Sequence, residues 1–152
     1  MHDLEGWDRE SYARFAPQIV SALRALGEAV EASGLEKDLI ELLKIRVSQI
    51  NGCAFCVAFH SERARQLAVT PAKLDGLAVW RDAGLYSPRE MQAFEWAEAL
   101  TRMGHDPRRA TRYAELARAF SRPEIAALTA AIGLINAWNR IAGGLDFPVP
   151  GA

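Results

Sequence analysis

Four times from Thr70 onward a side chain able to cap a helix is followed within two residues by proline. These pairs are Thr70-Pro71, Ser87-Pro88, Asp106-Pro107 and Ser121 with Pro123. Proline has no amide proton and a fixed φ, so it suits the first turn of a helix, where that proton would lack a partner, and it breaks helices and sheets elsewhere. Glu90 and Glu124 add a carboxylate at the third helical position after Ser87 and Ser121, which completes a capping box at each. No alternating Val/Ile/Thr run is long enough to suggest a sheet. The pattern predicts an all-α, compact multi-helix architecture with helices joined by short turns, four of them starting at these pairs.

The first half has the same character. Pro17 opens a predicted helix whose apolar face is Ile19, Leu23, Leu26 and Val30, and Gly34 stands where a C-terminal cap belongs. A second helix, about Glu36 to Ile50, is apolar on most sides but keeps Glu41, Lys44 and Ser48 on one narrow stripe, the pattern of a buried helix with a polar seam. Asn51-Gly52 then turns a corner, and a third helix runs from about Cys53 through His60 to Leu67. The segment Ile125 to Trp138 is nearly all apolar, with only Thr129 and Asn136 polar, so it is expected to be buried all round, centrally or against another subunit. The stretch from Gly143 to Ala152 reads as a loosely held C-terminus.

A chain of 152 residues, half of them hydrophobic, suits a single domain, 1–152, and buries roughly 68–70% of its unfolded surface on folding. Eighteen Lys and Arg against nineteen Asp and Glu leave a net charge of -1, with no electrostatic footprint for nucleic acid or an anionic membrane. No run approaching the ~20 apolar residues of a membrane span is evident, and Met1 to Glu5 lack the basic start of a signal peptide. The expectation is a soluble, cytoplasmic protein that engages neither nucleic acid nor membrane. The only two cysteines, Cys53 and Cys56, stand three apart. In a reducing compartment such a pair points to redox catalysis, redox sensing or metal binding rather than to a structural disulfide.

On a helix, Cys53, Cys56 and His60 project within a sector of roughly 60°. Their spacing puts the cysteine α-carbons roughly 5–6 Å apart, within reach of a reversible disulfide. Cys56 and His60, four apart, are surface neighbours, so the imidazole can take the thiol proton. Cys53, at the helix start, has unpaired amides and the macrodipole to stabilise an anion. Position alone leaves open which sulfur attacks. Glu41 lies twelve residues before Cys53, and packing across the Asn51-Gly52 corner could return its carboxylate to His60 as the third member of a Cys-His-Glu relay.

The run ELLKIRVSQINGCAFCVAFH from Glu41 to His60 resembles the signature of the alkylhydroperoxidase D-like (AhpD) branch of the carboxymuconolactone decarboxylase family: Glu, eleven residues, CxxC, three residues, His. SPREMQAFEWAEALT from Ser87 to Thr101 and INAWNR from Ile135 to Arg140 are similar to that family as well, so the likeness spans about Pro17 to Ile141. The resemblance implies a helical subunit that forms dimers, trimers or hexamers, and a peroxidase cycle on a hydroperoxide substrate. It assigns Cys56 as the attacking thiol, Cys53 as the resolving one, and His60 with Glu41 as the proton relay. No bound cofactor or metal is implied; an external dithiol reductant protein reopens the disulfide. Some members carry a polar residue before the second cysteine, where this chain has Phe55 and so a more apolar mouth.

Other readings stand beside this one. Cys53, Cys56, His60 and Glu41 could supply four zinc ligands, although no second Cys/His knuckle exists. The pair could be a redox switch on a helical assembly or partner protein with little turnover, or the chain could be a lactone decarboxylase like the family's namesake. Arg102, Arg108, Arg109 and Arg112 read as a solvated edge, and Trp80, Trp96 and Trp138 as core or subunit contacts. Asn136 and Asn139 need buried hydrogen-bond partners. His2 and His105 have no evident partner.

Overall fold

In the computed structural model, which describes residues 6–151, the chain is all-helical, with no strand among the described residues. The helices are α1 (Arg9–Phe15), α2 (Pro17–Glu31), α3 (Lys37–Asn51), α4 (Ala54–Gln66), α5 (Pro71–Gly76), α6 (Trp80–Ala83), α7 (Pro88–Arg102), α8 (Arg109–Ala119) and α9 (Arg122–Gly144), with a 3-10 turn at Leu77–Val79. Thr70, Ser87 and Ser121 each accept a backbone N–H at a helix start, and the boxes with Glu90 and Glu124 close.

Asp106 behaves differently. Its carboxylate accepts the Arg108 amide at 2.9 Å and the Arg112 Nε at 3.1 Å, which makes a local turn, so α8 begins only at Arg109. Helix α1 was not anticipated from the sequence because its capping box pairs Asp8 with Ser11, where the pattern to look for has Glu or Gln.

Helices α3 and α9 lie at the centre: α3 packs against α4, α7 and α9, and α9 also packs against α2, α4 and α7. Leu39, Ile40, Leu42, Leu43, Ile45 and Val47 on α3 are all buried, so that helix contributes apolar surface in every direction except its polar seam. Helix α9 is longer than the apolar segment that marked it. It buries Ile125, Leu128, Ala131, Ile132, Leu134 and Ile135, while Ala126 and Gly133 are exposed, so within one chain the helix is not buried on every side. By length and composition α9 is long and apolar enough to cross a membrane, contrary to the sequence expectation; in this fold it is packed among the helices just named.

Polar ties hold the central pair in register. Asn51 Nδ2 donates to Asn136 Oδ1 and Asn139 Oδ1, both at 2.9 Å, and Asn139 Nδ2 donates to Ser48 Oγ at 3.0 Å. The end of α3 thus satisfies the buried Asn139 amide, as buried amides must be, and the oxygen of the half-buried Asn136, whose Nδ2 donates instead to Thr101 Oγ1 on α7 and to the Ile132 carbonyl. Trp80 and Trp96 are buried, with Trp80 Nε1 donating to Glu98 and Trp96 Nε1 to Thr129, while Trp138 is half-buried. Arg102 and Arg112 are ion-paired to Glu98 and Glu95, and Arg109 donates to the Gly104 carbonyl, so three of the four arginines on this basic edge are engaged within the chain.

Two further differences shape the site. The α2 stripe is only partly covered: Val30 is buried, whereas Ile19 and Leu26 are 54% and 39% exposed, because α2 turns its Val20, Leu23 and Gly27 side toward α9 and the cavity instead. The C-terminal stretch is held in place from Gly143 to Phe147. Gly143 and Gly144 complete α9, and Phe147 is buried against Tyr12 and Phe55, its amide donating to the Ala142 carbonyl at 2.9 Å.

Candidate active site

Glu41, Lys44 and Ser48 recur at helical spacing on α3, and all three are buried. Helix α3 ends at Gly52, which takes the left-handed conformation (φ 69°) and lets the chain double back into α4. This return lays α4 on α3 and brings His60 to Glu41: Nδ1 lies 2.7 Å from Oε2. An ionised carboxylate can only accept, so Nδ1 carries the proton, and in the neutral ring Nε2 is left as a base. Arg63, one turn beyond His60, donates from Nε to the other oxygen of Glu41 at 3.2 Å and from Nη2 to Glu31 at 3.2 Å. Lys44 Nζ stands 3.8 Å from Glu41 Oε1. Glu41 is therefore the hub of three cationic or protonatable side chains.

Burial alone would raise the Glu41 pKa, but the His60 hydrogen bond and the charges of His60, Lys44 and Arg63 outweigh it and hold the carboxyl below its ordinary 4.5. Burial takes His60 the other way, below its ordinary 6.5, although Glu41 pulls it up. Lys44 is likewise lowered by burial against the opposing pull of Glu41. For both His60 and Glu41 the folded pKa lies below the unfolded one, so the unfolded chain takes the proton first. Stability is full above the ordinary value of each group and is lost as pH falls through its folded value. Thermal unfolding followed from about pH 7 to about pH 4 should therefore show a falling midpoint. The part that sets in below 6.5 should flatten in His60→Leu; a wild-type midpoint that does not move over that range would contradict the assignment.

Cys53 is the N-cap of α4 rather than its first helical residue, with extended backbone angles, and its sulfur lies 3.3 Å from the Cys56 amide that donates to it. The two cysteines are joined as a disulfide across a Cα–Cα distance of 5.3 Å, and both are buried. Their surroundings differ. Cys56 lines a cavity of about 340 Å³ together with His60 and Lys44, walled by Phe55, Phe59, Leu134, Trp138 and Phe147. Cys53 instead borders a separate, more open groove on the far side, beside Gln49, Gly52, Ser61 and Pro150. Phe59 stacks on Phe55 and meets the His60 ring edge-on, so Phe55 contributes to an apolar wall, as its place before Cys56 suggested.

All four residues singled out in the sequence, Glu41, Cys53, Cys56 and His60, thus meet in one region. Lys44 was legible only as a member of the polar seam, and its place on the cavity wall was not anticipated. Arg63 was missed; its signal was the spacing of three after His60. Among the described residues no three of His, Cys, Asp and Glu are grouped as a metal site would require. His2 lies outside the described residues.

Comparison with known proteins places this arrangement. The model of the carboxymuconolactone decarboxylase family matches residues 17–99. YdfG of Bacillus subtilis (strain 168), an uncharacterized protein, is 32% identical over 133 residues, which is 88% of this chain and 90% of YdfG. Among solved structures, ATU0492 from Agrobacterium tumefaciens is similar with a TM-score of 0.88 and 36% identity, over 96% of this chain and 100% of that one. It is described as a protein of unknown function with a suggested role as the antioxidant defence protein AhpD. The debrominase Bmp8 is similar in fold alone, at a TM-score of 0.78 and 21% identity over 89% of this chain and 73% of its own. On the strength of the family match and of these relatives, the chain belongs to the carboxymuconolactone decarboxylase family and is AhpD-like in fold.

Proposed function

We propose that the chain is a thiol-dependent hydroperoxide reductase. The observation that carries this reading is the sharing of one apolar cavity by Cys56 and His60, with Cys53 bonded to Cys56 from outside that cavity. In the reduced protein His60 Nε2 takes the Cys56 proton, and the thiolate attacks the outer oxygen of a hydroperoxide. The O–O bond breaks, the alkoxide leaves as alcohol with the proton held by His60, and Cys56 becomes a sulfenic acid. Cys53 then attacks the Cys56 sulfur, its own proton leaves with the hydroxyl as water, and the disulfide forms. An external dithiol reopens it by exchange and is itself oxidised to a disulfide. The protein needs no bound cofactor for these steps.

Glu41 orients the imidazole and balances the positive charge it gains in mid-cycle. The fold alone does not choose the reaction, since Bmp8 has this fold and is a debrominase. What favours peroxide over the decarboxylation of the family's namesake is the dithiol, which a decarboxylation does not use.

The test is to reduce the protein, remove the reductant, add one equivalent of cumene hydroperoxide and count thiols and alcohol. Two thiols lost per alcohol formed, at a rate far above that of a small-molecule dithiol, is the expected result. Reaction no faster than the small dithiol would leave the cysteine pair as a redox switch on a helical assembly.

A further inference from the structure

Lys44 has no role in the cycle just described. Its residue is 7% exposed, its ammonium has no hydrogen-bond partner among the described residues, and its nearest carboxylate oxygen is 3.8 Å away on Glu41. That carboxylate is already bound at shorter range by His60 and Arg63. Lys is among the residues least often buried unless paired, and with its one ion pair at 3.8 Å this ammonium has donors to spare. What Lys44 does face is the cavity that Cys56 and His60 also line.

The other charged groups on that cavity are Arg9, Arg24 and Arg63 against Glu28 and Glu31. Arg63 is engaged by Glu31 and Glu41, and Arg9 lies over the Phe59 ring at 5.0 Å. The lining thus combines an excess of cations with apolar walls, and its one buried cation is the lysine. Charge-assisted hydrogen bonds to a carboxylate are the strong ones, and they strengthen where water is excluded.

We propose that this cavity takes an organic substrate with an apolar body and a carboxylate, the carboxylate binding Lys44 while the reacting group faces Cys56. Lys44 is then the residue that selects the substrate class. The inference rests on the hydroperoxide reading only for the nature of the reacting group; recognition of the carboxylate stands on the cavity itself.

The two can be tested apart by measuring binding to the oxidised protein, in which no turnover occurs. Calorimetric titration with 4-isopropylbenzoate and with the neutral 4-isopropylbenzamide should show the carboxylate binding about tenfold tighter or better. Lys44→Gln should bring the two ligands to within about twofold, and Lys44→Arg should restore the preference. A second measurement needs only wild type: reductive methylation read by mass spectrometry, with Lys37 and Lys73, the chain's other lysines, as internal controls. 4-Isopropylbenzoate should protect Lys44 alone, and the amide should not. Equal binding of the two ligands to wild type, or a preference that survives in Lys44→Gln and vanishes in Arg24→Gln, would overturn the assignment. Carboxylate binding by a protein that reduces no peroxide would overturn the peroxidase reading and leave this one standing.

Discussion

Replacing Cys56 with serine should abolish hydroperoxide reduction, with a rate loss of roughly a thousandfold or more, as expected when a nucleophile is removed from a preorganised site. A serine hydroxyl is not ionised near neutral pH, and His60 beside it does not make it a comparable nucleophile toward a peroxide oxygen. Cys53→Ser should behave differently. The Cys56 thiolate, still in the cavity with His60, should consume one equivalent of peroxide and stop at the sulfenic acid, which a dimedone adduct would capture. Further peroxide should drive it up the oxidation ladder to the sulfinic acid. The two variants therefore separate attack from resolution. Wild-type peroxide consumption in Cys56→Ser, or a dimedone adduct on Cys53, would reverse the roles of the two sulfurs.

Glu41→Gln should lower the rate by roughly a hundredfold or more, the usual scale for a general-base system deprived of its orienting partner. Gln can still accept from Nδ1, but its neutral amide does not balance the charge His60 gains when it takes the thiol proton. The pH profile distinguishes this from mere damage. Glu41 pulls the His60 pKa up against burial, so in Glu41→Gln it should fall further, and the acid limb of the rate profile should move to lower pH. An unfolded or loosened site would lose amplitude without moving the limb. Removing this carboxylate also leaves Lys44 and Arg63 without their shared counter-charge, at a stability cost of roughly 3 kcal/mol. Unfolding curves belong beside the kinetics for that reason. An acid limb that stays in place would remove Glu41 from the relay.

Much of the helical framework was legible because helix ends are local events. Ser87 with Glu90 and Ser121 with Glu124 cap their helices through groups three residues apart, so composition at those positions is enough. Asp106 shows where local logic runs out. The same side chain that can cap a helix can also close a turn two residues on, and Arg112, six residues later, helps to hold it there. The C-terminus was misread because nothing near Phe147 in sequence reveals Tyr12 and Phe55, between which it packs.

The same division runs through the site. Helical periodicity by itself put Glu41, Lys44 and Ser48 on one seam and Cys56 beside His60, because a spacing of three or four on one helix is a short distance whatever the rest of the chain does. Whether Glu41 reaches His60, nineteen residues away, depends on how α4 folds back past Gly52. Which sulfur shares a cavity with the imidazole depends on how α2, α4 and α9 meet around it, and on Cys53 capping α4 instead of joining it. Those are distances between elements, set by side chains packing from four helices at once, and only the tertiary structure decided them.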